Sequence, residues 1–196
     1  MFSEYNKSVE ARAGGEAVVL RYLPTTDPGV KTKIDALWRA AYSGKDGGIG
    51  LLIDDLRPVL ENDKDLAYQT LLYAAGGGNA SCVELLLPFS TTARNTMALK
   101  QAAKQGHVEC VRLLIPVSTP MFNSSEALRH AAKQGHNRCV EALYGVSDPF
   151  EALQQLRTKH QDKHHKWEYL AQLCQRDLLV QAINNLDPCN EERRKI

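Results

Sequence analysis

Apolar and polar positions in the middle of this chain follow a helical period, and the pattern starts over every 28 or 29 residues. In the clearest stretch, residues 97–120, Ala98, Leu99, Ala102 and Ala103 share one helix face, and Val108, Val111, Leu114 and Ile115 share another. Gly106 stands between the two runs, where a left-handed backbone ends a helix without a Cβ penalty. Pro116 and Pro120 follow the second run; lacking a backbone N–H, proline stops a helix and stiffens a link. The pattern predicts helix, tight turn, helix and extended link.

The unit returns at residues 126–149. AAKQGH is spelled identically at 102–107 and 131–136, and the copies lead into Cys110-Val111 and Cys139-Val140. A weaker copy, residues 68–90, carries Ala74-Ala75 and Cys82-Val83; an earlier relative, residues 35–53, carries Ala40-Ala41. That first Ala-Ala pair lies 34 positions before the second, so its unit holds an insertion near 45–50 or 54–65. Residues 16–28 match only the second half of the unit and read as an amino-terminal half-repeat. Ser124 and Ser125 are placed to cap the first helix of the 126–149 unit. A fixed period of this size marks stacked helical repeats. The small Ala-Ala side chains let helices approach closely, and a lone unit has nowhere to bury its faces, so stability comes from stacking.

After Pro149 the pattern changes. Phe150, Leu153 and Leu156 keep helical spacing, a polar stretch covers 157–166, then Trp167, Leu170 and Cys174 predict one helix and Leu179, Ile183 and Leu186 another. Such an atypical end unit covers the last apolar face of a stack. The chain thus divides into an amino-terminal cap or half-repeat (1–34), repeats (35–149), a helical carboxy-terminal capping unit (150–187) and a charged tail (188–196).

The residues A-L-x-x-A-A-x-x-G-H-x-x-C-V-x-x-L-L resemble the core of the ankyrin repeat. The resemblance implies an all-α, ankyrin-like helical solenoid of four to five helix-pair repeats with a helical carboxy-terminal cap. It also implies a concave protein-binding face made by inner helices and connecting fingers, and a histidine at 107 and 136 that braces the turn. The usual T-P-L-H opening is missing, replaced by Thr70–Leu72, Ala98–Lys100 and Ala127–Arg129, and the period is shorter than 33. Short fingers with little β-hairpin are therefore expected, with more of the contact surface on the inner helices.

Composition narrows the function. Hydrophobic residues make up 43% and charged residues 24%, as in an ordinary folded protein, and the formal net charge is +1. That balance argues against a dedicated nucleic-acid binder. No apolar run reaches the roughly 18 residues that span a bilayer, and the amino terminus lacks a secretory hydrophobic core. A cytoplasmic protein is expected, in a host cytoplasm if it is a secreted effector. Three of the five cysteines mark the repeat, so reduced, buried thiols are expected rather than disulfides.

Catalytic signals are weak. Residues 75–79 are glycine-rich but lack the G-K-[ST] ending of a phosphate loop, and Asp54-Asp55 have no evident partners. His160, Asp162, His164 and His165 cluster, yet they are flanked by lysines and lack an H-E-x-x-H signature, so a solvated segment is the simpler reading. No catalytic residue, metal or cofactor is assigned. The stronger signal is cationic: Lys100 and Lys104 are four apart, and Arg129 and Lys133 repeat them one unit later. Solubility charges are the plain reading; a strip complementary to an acidic patch is the functional one.

Carrying the concave-face rule over from the resemblance gives the partner-binding candidates Arg39, Tyr42, Ser43, Tyr73, Gln101, Lys104, Gln105, His130, Lys133 and Gln134, with Trp38 and Arg129 beside them. Trp38, Tyr42 and Tyr73 are candidate anchors, because interface energy concentrates in aromatics and arginine; Trp38 reads equally well as core. The expected function is non-catalytic binding that inhibits or sequesters a partner protein. The compact repeat style resembles ankyrin-like proteins of bacteria, their viruses and intracellular pathogens, which implies an effector, immunity protein or antagonist. Two classes compete with it: a nucleic-acid-associated antagonist using the basic stripe, and a small metal-binding or enzymatic protein.

Overall fold

Each repeat of the sequence pattern folds as a helix pair. The computed structural model describes residues 28–44, 49–159 and 164–186. Among the described residues ten helices follow one another: α1 (Pro28–Ser43), α2 (Ile49–Asn62), α3 (Lys64–Gly77), α4 (Ala80–Leu86), α5 (Thr92–Gln105), α6 (Val108–Leu114), α7 (Phe122–Gln134), α8 (Asn137–Tyr144), α9 (Pro149–Lys159) and α10 (His164–Leu186). The helices α1, α3, α5, α7 and α9 pack side by side as an inner layer, while α2, α4, α6 and α8 form an outer one. The expected half-repeat at 16–28 lies outside the described residues except for Pro28, and so does the tail at 188–196. Helix α1 crosses the boundary expected between residues 34 and 35.

The Ala-Ala pairs stand where neighbouring inner helices touch: Ala74, Ala75, Ala102, Ala103 and Ala131 have no exposed surface. Cys82, Cys110 and Cys139 are buried at matching positions between the layers, and these three and Cys174 are thiols not joined in disulfides. Cys189 lies outside the described residues.

Short links, rather than strands, join one pair to the next. Among the described residues there is no strand, and the chain leaves α4 and α6 through 3-10 turns at Leu87–Phe89 and Ile115–Val117. A repeated hydrogen bond ties each later link to the helix beneath it. Thr119 N–H donates to Thr96 Oγ1 at 3.0 Å, and 29 positions on Asp148 N–H donates to Ser125 Oγ at 2.7 Å. This corrects the expected role of the serine pair. Helix α7 starts at Phe122, ahead of both serines, and its cap residue Met121 makes no side-chain capping bond. Ser125 lies inside the helix at φ +58, with its hydroxyl committed to the link.

The first pair takes up its insertion as helix. Helix α2 has 14 residues, against seven in α4 and α6, and runs through Pro58. Residues 45–48, within the other expected insertion point, lie outside the described residues. The capping unit differs from expectation in one respect: α10 is a single helix of 23 residues, not two. No glycine or proline interrupts it, so nothing ends the helix after Cys174. Trp167, Leu170 and Cys174 bury against α7, α8 and α9, whereas Leu178, Leu179, Val180 and Ile183 are exposed.

Candidate functional site

The inner helices α3, α5 and α7 each end on a left-handed glycine, followed by histidine after α5 and α7 and by Asn79 after α3. Gly78, Gly106 and Gly135 adopt left-handed φ values of 79°, 85° and 79°. Each histidine reaches back one unit: His107 Nε2 lies 3.0 Å from Gly76 O, and His136 Nε2 lies 3.1 Å from Lys104 O. The rings lie flat enough on the preceding turns that a Cβ on Gly78 or Gly106 would come within 2.5 or 2.7 Å of the ring Nδ1. A Cβ on Gly77 would meet Tyr42 O at 2.1 Å, so α1 and α3 touch through backbone. The bracing role expected of His107 and His136 is what the structure contains.

This frame sorts the candidate residues into rows along the stack. Two positions before the Ala-Ala pairs stand Trp38, Leu72, Lys100 and Arg129. Trp38 is half-buried: its Nε1–H donates to Thr70 Oγ1 at 3.1 Å, and its ring packs 5.7 Å from that of Tyr73. Lys100 is buried, its ammonium 3.7 Å from Glu126 Oε1 on α7. Both therefore reach across to the next inner helix. Arg129 is half-buried in the same row. The neighbouring row holds Arg39, exposed; Tyr73, buried; Gln101, lying over Gly76; and His130, whose Nε2 is 3.5 Å from Glu126 Oε1.

The two rows after the Ala-Ala pair are the open part of the face. Tyr42, Lys104 and Lys133 are half-buried in the first, and Ser43, Gln105 and Gln134 range from half-buried to exposed in the second. Neighbouring helix axes run about 8–10 Å apart, so Lys104 and Lys133 present their stems at that spacing. The basic stripe is thus narrower than the sequence suggested, since Lys100 is drawn into the stack. Glu126 was missed by sequence reasoning; its place four residues before His130, on the same helix face, was the available signal.

Electrostatics follow from this packing. Burial foremost holds the His130 imidazole below its ordinary range, and Lys100 and Lys104 add to the effect while Glu126 opposes it. Burial pushes the Cys110 thiol up to about 11, and it raises Cys139 and Cys174 as well. Thiols so shifted hold little of the reactive thiolate near neutral pH. Of the histidine cluster, His160 and Asp162 lie outside the described residues, and His164 and His165 open α10. Among the described residues no three His, Cys, Asp or Glu side chains gather as metal ligands, and no helix is long and apolar enough to cross a membrane.

Comparison with known proteins adds the family. The family model for ankyrin repeats (three copies) matches residues 37–120 and 71–150, together more than half of the chain. No curated protein and no solved structure matches. Ankyrin repeats are generally protein–protein interaction modules and are typically non-catalytic. On the strength of the family match and the stack of helix pairs beneath it, this chain belongs to the ankyrin repeat family.

Proposed function

We propose that this protein captures a partner protein through its inner-helix face and inhibits or sequesters it, without catalysis. The observation that carries this reading is the placement of Lys104 and Lys133 at one register of consecutive inner helices. Two cations at helix-packing distance suit an acidic patch and steer its approach. Tyr42 and Arg39 extend the same face toward the amino-terminal end, with Gln101, Gln105, Gln134 and Ser43 supplying polar contacts. The His107 and His136 braces support a pre-organised surface, which loses little conformational freedom on binding and so favours a tight grip. Trp38, Tyr73 and Arg129 serve mainly to hold that surface in shape.

The test is affinity capture from the native host followed by mass spectrometry, with the wild-type chain and Lys104→Glu/Lys133→Glu as parallel baits. A protein retained by the first and lost by the second, with unchanged circular dichroism, supports the reading. Equal retention by both refutes it. Nucleic acid in the wild-type eluate, released steeply by salt, would favour the competing basic-stripe antagonist.

A further inference from the structure

One carboxylate oxygen, Glu126 Oε1, stands 3.7 Å from Lys100 Nζ and 3.5 Å from His130 Nε2. All three side chains are largely withdrawn from water: 11% of Lys100, 21% of Glu126 and 25% of His130 is exposed. Lys104 occupies on α5 the register that Gly76 occupies on α3, and Gln101, the counterpart of His130, lies over Gly76; His130 thus faces Lys104 and Lys100 on α5 as well as Glu126 on its own helix. Among the described residues no charged group of α8, α9 or α10 acts on it comparably, and α9 sets the uncharged Gln155 at the matching register. Glu126 is therefore positioned to receive an imidazolium N–H, while burial and two lysines keep the ring neutral.

A carboxylate arriving beside Lys104 upsets this balance, because it offsets the cation that repels a proton from His130. We propose that capture of an acidic partner on the inner-helix face is coupled to uptake of a proton by His130, so that binding tightens as the pH falls. The inference rests on the reading that Lys104 and Lys133 meet acidic groups. Its sign follows from linkage: a group that holds its proton more firmly in the complex adds affinity below its free-state midpoint. That gain disappears above the bound-state midpoint. An opposite charge within about 4–6 Å moves a midpoint by roughly 1–3 units, and each unit is a tenfold change in affinity.

Two measurements on the full chain test it. In the first, His130 is titrated by proton NMR in the wild type, Lys104→Glu and Lys104→Gln, with His130→Gln identifying its resonance. Lys104→Glu sets a carboxylate where the partner's would come, so its His130 midpoint should rise by about one unit, and that of Lys104→Gln by less. An unmoved midpoint in both overturns the coupling, whatever the partner is. In the second, a fluorescein-labelled deca-aspartate peptide is bound at pH 7.5 and 5.5 at constant ionic strength. Wild type should tighten roughly three- to tenfold and His130→Gln should not. Tightening that survives in His130→Gln overturns the coupling and leaves the cationic strip standing. A probe that binds at neither pH overturns the strip, and the coupled capture with it.

Discussion

Gly106 does two jobs that no other residue can do at its position. Its φ of +85 is a conformation L side chains rarely adopt, and its bare Cα is the seat for the His136 ring. Gly106→Ala should therefore cost about 1–3 kcal/mol in urea denaturation. His136→Ala, which removes the ring and its bond to Lys104 O, should cost about 1 kcal/mol. Because alanine at 106 clashes mainly with that ring, the double variant should lose less than the sum; strict additivity would contradict the packing described. The buried thiol supplies a pH test. The Cys110 proton is held more firmly in the folded state, where its titration point is about 11 against an ordinary 9.0. Its contribution to stability is complete below pH 9 and is lost as the pH climbs from 9 through 11. The urea midpoint should fall over that window, and Cys110→Ala should flatten the fall. Gly106 could be read from sequence because a turn glycine between two apolar runs has one use. Lys100 could not, because its burial depends on Glu126, which arrives 26 residues later from another helix.

At the scale of an element, α10 shows where a sequence pattern misleads. The two apolar sets, Trp167, Leu170 and Cys174 and then Leu179 and Ile183, read as two helices, yet they lie on one helix whose second half leaves the stack. Twenty-three residues at about 1.5 Å each give a rod of roughly 34 Å, longer than the face it covers. Two reciprocal bonds pin the covered half to α8. Tyr144 O–H on α8 donates to Asp177 Oδ2 on α10 at 2.8 Å, and Tyr169 O–H on α10 donates to Glu141 Oε1 on α8. Both phenols are pushed up, Tyr144 by burial first and Tyr169 by its Glu141 bond first. Replacing both tyrosines by Phe should speed amide hydrogen exchange in α10, by about fivefold or more for one lost charged-acceptor bond, and leave α3 and α5 unchanged. Uniform acceleration across the stack would mean that α10 is not held as a separate unit. The lengthened α2 is a similar case: the sequence revealed extra residues, but only packing against α3 and α4 decides that they extend a helix.

For the whole molecule, stability and the proposed capture of a partner would share one cause, the stacking of inner helices through small side chains. Leu99, fully buried in the middle inner helix, touches this stack from the centre. Leu99→Ala should cost about 2–5 kcal/mol, a large fraction of the ~5–15 kcal/mol that holds a typical domain together. Global urea unfolding measures it, and a loss below ~1 kcal/mol would show that the repeats stand independently. The repeat period, the helix pairs and the inner layer were legible because every unit repeats the same local chemistry. The open rows of the face were legible only in part, since exposure depends on which side chains bridge to the next unit, as Trp38 and Lys100 do. The most direct test of the account is site-specific photocrosslinking to the captured partner, with a photoreactive residue at Ser43, Gln105 or Gln134 on the inner layer and at Glu84, Arg112 or Glu141 on the outer one. Crosslinks confined to the inner positions are the expected result; crosslinks of equal or greater yield from the outer positions would contradict it.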